Sequence, residues 1–200
     1  MEEANSPRTI IVMGAQGSGK GTQLSLLKNY FSNNIPGAVF QFSTGDGFRA
    51  LLKDTTYTAH QASDYYHAGK LQPLFLTVTM WGKAFMEMLD KGQHIFIDGY
   101  PRTEIEAQVL DTAFDFYTRE KVDVLFFDVP EAQVIERMKA RGRSDDTDEA
   151  IAERLAYYNK YTVPVFDYYK KNPRYMIHTI DAHRSIEDIH ADVIKVLHLQ

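Results

Sequence analysis

An α/β fold, a five-stranded parallel sheet with helices on both faces, is the architecture that these 200 residues predict. Three observations point to it: short apolar runs with almost no polar interruption, stretches of helical period between them, and a glycine-rich loop joining the first run to the first such stretch. A strand covered on both faces reads as a nearly continuous hydrophobic run, whereas a strand with one wet face alternates. Strand and helix patterns taking turns along a chain belong to doubly wound folds.

The elements follow in order. Ile10-Ile11-Val12-Met13 is the first strand, and Leu24, Leu27 and Phe31 mark the apolar stripe of the helix after the loop. Val39-Phe40-Gln41-Phe42, Ile95-Phe96-Ile97, Val124-Leu125-Phe126-Phe127 and Tyr175-Met176-Ile177 are the remaining strands. Ile186, Ile189, Val193 and Val196 form the stripe of a last helix, with Ser185 and Asp188 spaced as a capping box. Residues 44–90 and an arginine-rich stretch at 137–147 hold more helical pattern than the alternation requires. They read either as mobile lobes over a site or as solvated helices.

Composition narrows the function. A hydrophobic share of 44% and a charged share of 24% suit a single globular domain over residues 1–200. A formal net charge of −5 argues against nucleic acid, which demands a basic face, but leaves room for small phosphorylated ligands held by a local arginine cluster. No cysteine is present, which excludes disulfides and thiolate metal sites. The stretch from Met1 to Pro7 is acidic and lacks the apolar core of a signal peptide, and no window reaches the length of a membrane span. The expectation is a cytoplasmic protein without membrane association.

Gly14-Ala15-Gln16-Gly17-Ser18-Gly19-Lys20-Gly21-Thr22 matches the phosphate-loop pattern as far as its lysine, with Thr22 displaced by one glycine. Glycines let the backbone curl so that several N–H groups face phosphate oxygens, and the helix N-terminus adds its dipole. Lys20 supplies a point charge for the β- and γ-phosphates. The loop therefore predicts a nucleoside triphosphate site and is silent on the second substrate.

The continuation addresses the second substrate. Gly17 to Gln23, then Ser43-Thr44-Gly45-Asp46 with Arg49, Ala68-Gly69-Lys70-Leu71, Asp98-Gly99-Tyr100-Pro101-Arg102-Thr103, and Arg143-Ser144-Asp145-Asp146 with Arg154, resemble in order the motifs of the adenylate kinase family, in its short-lid form. The resemblance runs from about Ile10 to the last helix and implies a P-loop kinase fold. It also implies a monophosphate-binding lobe at 43–72 and a short lid at 137–147. The implied reaction moves the γ-phosphoryl of ATP to AMP, with Mg²⁺ and with ATP and AMP as the small-molecule partners of a monomer.

The resemblance also implies roles for individual residues. Gly17, Ser18, Gly19, Lys20, Gly21 and Thr22 cradle the ATP phosphates, Arg137 stacks on its adenine, and the segment from Asp181 through Ala182 to Arg184 touches that base. Arg49 and Arg102 clamp the acceptor phosphate, with Arg141, on the ATP side, and Arg143 and Arg154, on the AMP side, closing on the transferring group. Thr44, Lys70, Leu71, Gln72, Gly99, Tyr100 and Glu106 surround the acceptor, and Asp98 reaches magnesium through water. Tyr100-Pro101 resembles a family bond that is often cis. Physics agrees with this set, since joining two polyanions requires converging cations. Arg137 and Arg141, four apart on one helix, share a face.

Several residues depart from the family pattern. Gln16 replaces a proline, Ala182 a glycine, and Glu106 the glutamine that reads the acceptor adenine; Gly47 replaces a bulky apolar residue and predicts a less filled pocket wall. Only Gly142 separates Arg141 from Arg143, so the lid is shorter than usual, and it offers no zinc ligands. His94 and the C-terminal histidines read as surface or packing residues. The alternatives are a kinase for GMP, UMP or CMP, and a non-catalytic nucleotide-binding module.

Overall fold

Alternate side chains of each strand leave on opposite faces, and that geometry assigns the apolar runs to two layers. In the computed structural model, β1 (Thr9–Met13) is central, between β3 (His94–Asp98) and β4 (Val122–Asp128). The edges are β2 (Val39–Ser43) and β5 (Tyr175–Asp181), and every neighbouring pair is parallel. The structure describes residues 6–143 and 146–199; Ser144 and Asp145 of the arginine-rich stretch, the N-terminal residues 1–5 and Gln200 lie outside the described residues.

Ile10, Val12, Phe96, Leu125 and Phe127 project to one face, where α1 (Lys20–Asn34) and α9 (Ile186–Val196) cover them with Leu24, Leu27, Phe31, Ile189 and Val193. Ile11, Met13, Ile95, Ile97 and Val124 project to the other. There α4 (Leu74–Met88), α5 (Glu104–Phe116) and α8 (Val165–Lys170) bring Trp81, Phe85, Leu110, Phe114 and Tyr169. Each such fully buried side chain contributes about 1.5–3 kcal/mol relative to exposure. A smaller cluster joins α6 (Glu131–Arg141) to α7 (Asp148–Tyr157) through Val134, Met138, Ile151 and Leu155, against Ala15 of the glycine-rich loop.

Two readings change in detail. β5 runs on to Asp181, well past Ile177, because its outer position leaves His178 half-buried and Thr179 exposed and so interrupts the apolar run. Within residues 44–90, α2 (Thr44–Leu51) and α3 (Tyr57–His67) lie beside the strand ends, but α4 belongs to the core through Trp81 and Phe85. At α9 the Ser185 hydroxyl accepts from the Asp188 N–H at 3.1 Å and donates to Asp188 Oδ2 at 2.7 Å.

Parallel strands put all five C-terminal ends at one edge of the sheet. The chain leaves β1 towards β2 and β3 on one side and returns to β4 on the other, so a crevice opens above β1, the usual ligand position in such sheets. The opposite edge is locked by polar contacts. Arg8 donates its backbone N–H to His94 Nδ1 at 2.9 Å, and its guanidinium pairs with Asp123 Oδ2 at 2.8 Å. His94 Nε2 lies 2.9 Å from Pro36 O. An Nδ1 that accepts and an Nε2 that donates require the neutral ring, and burial together with Arg119 and Arg8 lowers the His94 pKa below 6.5.

Protonation of His94 therefore opposes folding. Between its native pKa and 6.5 the unfolded chain binds more protons, so stability rises with pH across that window and is lost as pH falls through it. Urea unfolding from pH 5 to 8 should show this slope, and His94→Gln should flatten it; an unchanged slope in the variant contradicts the assignment.

Candidate active site

The crevice is a cleft of about 810 Å³, at the upper end of the range for ligand sites. Its floor is the loop between β1 and α1. Gly14, Gly17 and Gly19 all have positive φ, at 142°, 88° and 91°. At Gly14 a Cβ would also stand 2.6 Å from Phe127 O, so close strand packing and conformation both demand glycine. Gly19 is the N-cap of α1 and no side chain caps it, which leaves the first-turn N–H groups facing the cleft for an anion. Lys20 Nζ folds over the loop and donates to Gly14 O and Ala15 O, each at 2.7 Å.

Across the cleft, β3 ends in Asp98, the Tyr100–Pro101 bond after it is cis, and Arg102 lines the cleft with Lys20. Three bonds fix Arg102. Its N–H donates to Glu106 Oε2 at 2.6 Å, its carbonyl accepts from Thr162 Oγ1 at 3.0 Å, and its Nε donates to Gly99 O at 2.9 Å. Thr44 Oγ1 donates to the same Gly99 carbonyl at 2.8 Å. Glu106 is only 2% exposed and completes a reciprocal capping box at the start of α5 with Thr103. Burial raises its pKa despite the N–H donors of Arg102 and Thr103. Arg49 pairs with Asp46 on α2, and Tyr66 stands beside it.

The third wall comes from α6, α7 and, between them, Arg143 and Asp146. Arg137 Nη1 donates to Ala182 O at 3.0 Å, tying α6 to the end of β5. Arg141 grips Asp146 with Nε and Nη2 at 3.0 and 2.8 Å, and Arg154 Nη1 reaches the same carboxylate at 2.9 Å. The Asp146 side chain is 1% exposed, yet the two guanidiniums outweigh burial and hold its pKa below 3.8. One carboxylate shared by two arginines leaves net positive charge on this wall.

These cations feel one another. Burial first, then Arg102 and Arg141, lower the Lys20 pKa to about 8, with Asp98 pulling the other way. Burial, and then Arg154 against the opposing Glu106 and Asp98, likewise lowers Arg102. The arrangement is a preorganised receptor for polyanions.

A family model described as adenylate kinase matches residues 12–174. The adenylate kinase of Corynebacterium urealyticum is 38% identical over 180 residues, 90% of this chain and 93% of that relative. Those of Rhodococcus erythropolis and Leuconostoc mesenteroides are 37% and 35% identical, over 94% and 95% of this chain and 98% and 97% of theirs. The chain belongs to the adenylate kinase family.

Of the residues that the adenylate kinase motifs single out, Gly17 to Thr22, Arg49, Lys70, Leu71, Gln72, Asp98, Gly99, Tyr100, Arg102, Arg137, Arg141, Arg143, Arg154 and Arg184 line the cleft. Thr44, Glu106 and Ala182 stand directly behind it, each bonded to a lining residue. The unfilled wall expected at Gly47 is corrected: a Cβ built there would collide with Met80 Sδ, so a side chain from α4 takes the space. Ile186, read as part of a buried stripe, is 51% exposed and lines the cleft. Sequence reasoning missed Tyr66, Tyr157, Tyr158 and Thr162 as lining residues. A Tyr-Tyr pair one turn after Arg154 was the available signal.

Asp146 should matter for stability as well as for the cations. Removing one partner of a buried, charge-assisted network costs about 1–3 kcal/mol, whereas an exposed ion pair is worth about 0–1 kcal/mol. Asp146→Asn should therefore lower urea-unfolding stability clearly, and Asp148→Asn, whose 73%-exposed carboxylate pairs with Lys139, should barely change it. Equal effects of the two substitutions contradict this reading of the wall.

Proposed function

We infer that the chain transfers the γ-phosphoryl group of ATP to AMP, giving two ADP, and so serves nucleotide homeostasis. The observation that carries this reading is the meeting in one cleft of a triphosphate loop with a second set of cations, Arg49 and Arg102, that a simple nucleotide-binding module has no use for. In this reading the loop from Gly17 to Thr22 holds the ATP phosphates, Arg137 lies against its base, and Ala182 and Arg184 border that base. Thr44, Lys70, Leu71, Gln72, Gly99 and Tyr100 enclose AMP. Residues 43–72 act as the monophosphate-binding lobe and 137–147 as the lid.

The chemistry follows from the charges. Arg49 and Arg102 fix the AMP phosphate, and one of its oxygens attacks the γ-phosphorus. The bond from that phosphorus to the β,γ-bridging oxygen breaks, and ADP leaves with the electron pair. No general base is needed because the attacking oxygen is already anionic. Lys20, Arg141, Arg143 and Arg154 stabilise the charge spread over the transferring group, and enclosure keeps water from accepting it.

The donor set suits magnesium. Asp98 is a carboxylate lining the cleft, and among the described residues no group of three His, Cys, Asp or Glu side chains could hold a metal. A metal here would take most ligands from phosphates and water, as Mg²⁺ prefers, with Asp98 reaching it through water. When bound, it neutralises charge on the β- and γ-phosphates. No helix among the described residues is long and apolar enough to cross a membrane, and the reading is of a cytoplasmic monomer acting on small molecules.

A coupled assay for ADP formation, run with AMP, GMP, UMP and CMP, tests the reading; absence of AMP turnover overturns it. Glu106 sets a sharper expectation. One of its oxygens is committed to the backbone donors of Arg102 and Thr103, and an anionic carboxylate can only accept, which suits the N1–H and N2–H of guanine better than adenine N1. Detectable GMP turnover is expected. Glu106→Gln keeps an acceptor for the capping box and should raise the AMP-to-GMP ratio of kcat/KM by about tenfold or more, the worth of about 1–3 kcal/mol for one mismatched bond. An unchanged ratio shows that Glu106 does not read the base.

A further inference from the structure

Thr162 ends a π-helical turn (Tyr158–Thr162) that continues α7 directly. The cause of the wide turn is in the sequence. Pro164 has no N–H for the carbonyl four residues back, and its ring would clash with that carbonyl in a regular helix. The backbone widens instead, and Val163 N–H bonds Tyr158 O at 2.9 Å, five residues back. A helical threonine ordinarily turns its hydroxyl to the carbonyl four residues earlier. For Thr162 that carbonyl belongs to Tyr158, which in the widened turn accepts from Val163. Its hydroxyl, on a residue only 7% exposed, crosses to Arg102 O at 3.0 Å.

The bond joins two walls of the cleft that are 60 residues apart in sequence. On one side is α7, with Arg154 held to Asp146 and Tyr157 lining the cleft. On the other is the turn whose Arg102 is already fixed through its N–H by Glu106 and through its Nε by Gly99. We propose that Thr162 is a positioning residue, tying the setting of the Arg154-bearing helix to that of Arg102, so that the cations on the transferring group and the acceptor clamp stay in register. This rests on the transfer reaction proposed above. Its physical content is that a misplacement of about 1 Å in a positioning group can cost on the order of a hundredfold in rate.

The test uses the full chain with Thr162→Val, which keeps the shape and removes the hydroxyl, and Thr162→Ser, which keeps the hydroxyl. Expected for Thr162→Val is a fall in kcat of about tenfold or more with the KM for ATP changed less than about twofold, and recovery of most of kcat in Thr162→Ser. Amide hydrogen exchange at Arg102 and Thr103, which needs no turnover, should quicken in the valine variant and return to the parent rate in the serine variant. An unchanged kcat and exchange rate in Thr162→Val, or equal loss in both variants, overturns the proposal. If the parent chain fails to make ADP, the transfer reading falls by itself, and the exchange comparison still decides whether Thr162 holds Arg102.

Discussion

The structure depends on gathering like charges in one crevice. Lys20, Arg102, Arg137, Arg141, Arg143 and Arg154 line one crevice in a chain whose formal net charge is −5. The consequence is legible in the groups themselves, since burial and neighbouring arginines bring the Lys20 pKa down to about 8. Such a site repels itself, and it persists because the remainder of the fold holds each cation in place. Asp146 grips Arg141 and Arg154, Ala182 O holds Arg137, and Glu106, Thr162 and Gly99 hold Arg102. The stability needed to hold this arrangement comes from the two apolar layers beneath it, not from the site.

Parallel strand order is what makes the gathering geometrically possible. The loop after β1 and the Arg102 turn after β3 rise at the same sheet edge on either side of the crevice, and α6 after β4 leans its arginines over it. Charge from distant parts of the sequence thus converges at one sheet edge. Arg137, Arg141 and Arg154 ride on α6 and α7, whose own small cluster packs on Ala15, so the loop and these arginines share one mechanical support.

Much of this was legible in the residues. The apolar runs assigned all five strands because the sheet is covered on both faces, and the glycine loop was placed by its position between strand and helix. The individual arginines were legible only through ordered motifs, since a single arginine pattern says nothing about which way a side chain points. What escaped were features created by packing across the chain. Met80 fills the space that Gly47 leaves, from another helix; Thr162 reaches Arg102 only because Pro164 forces a wide turn; and β5 outlasts its apolar run because an outer strand tolerates His178 and Thr179. Glu106 was read for what it says to a base, and its backbone bonds to Arg102 and Thr103 became visible only in three dimensions.

The central claim, that neighbouring cations and burial lower the Lys20 pKa until a polyanion binds, has a direct test in proton uptake. Binding of a bisubstrate analogue, two adenosines joined through a chain of phosphates, should return Lys20 to its ammonium form. Calorimetry at pH 8, near the lowered Lys20 pKa, in buffers of different ionisation enthalpy should then record net proton uptake on binding. Lys20→Met should abolish that uptake. Binding without proton uptake in the parent chain, or the same uptake in the variant, contradicts the account.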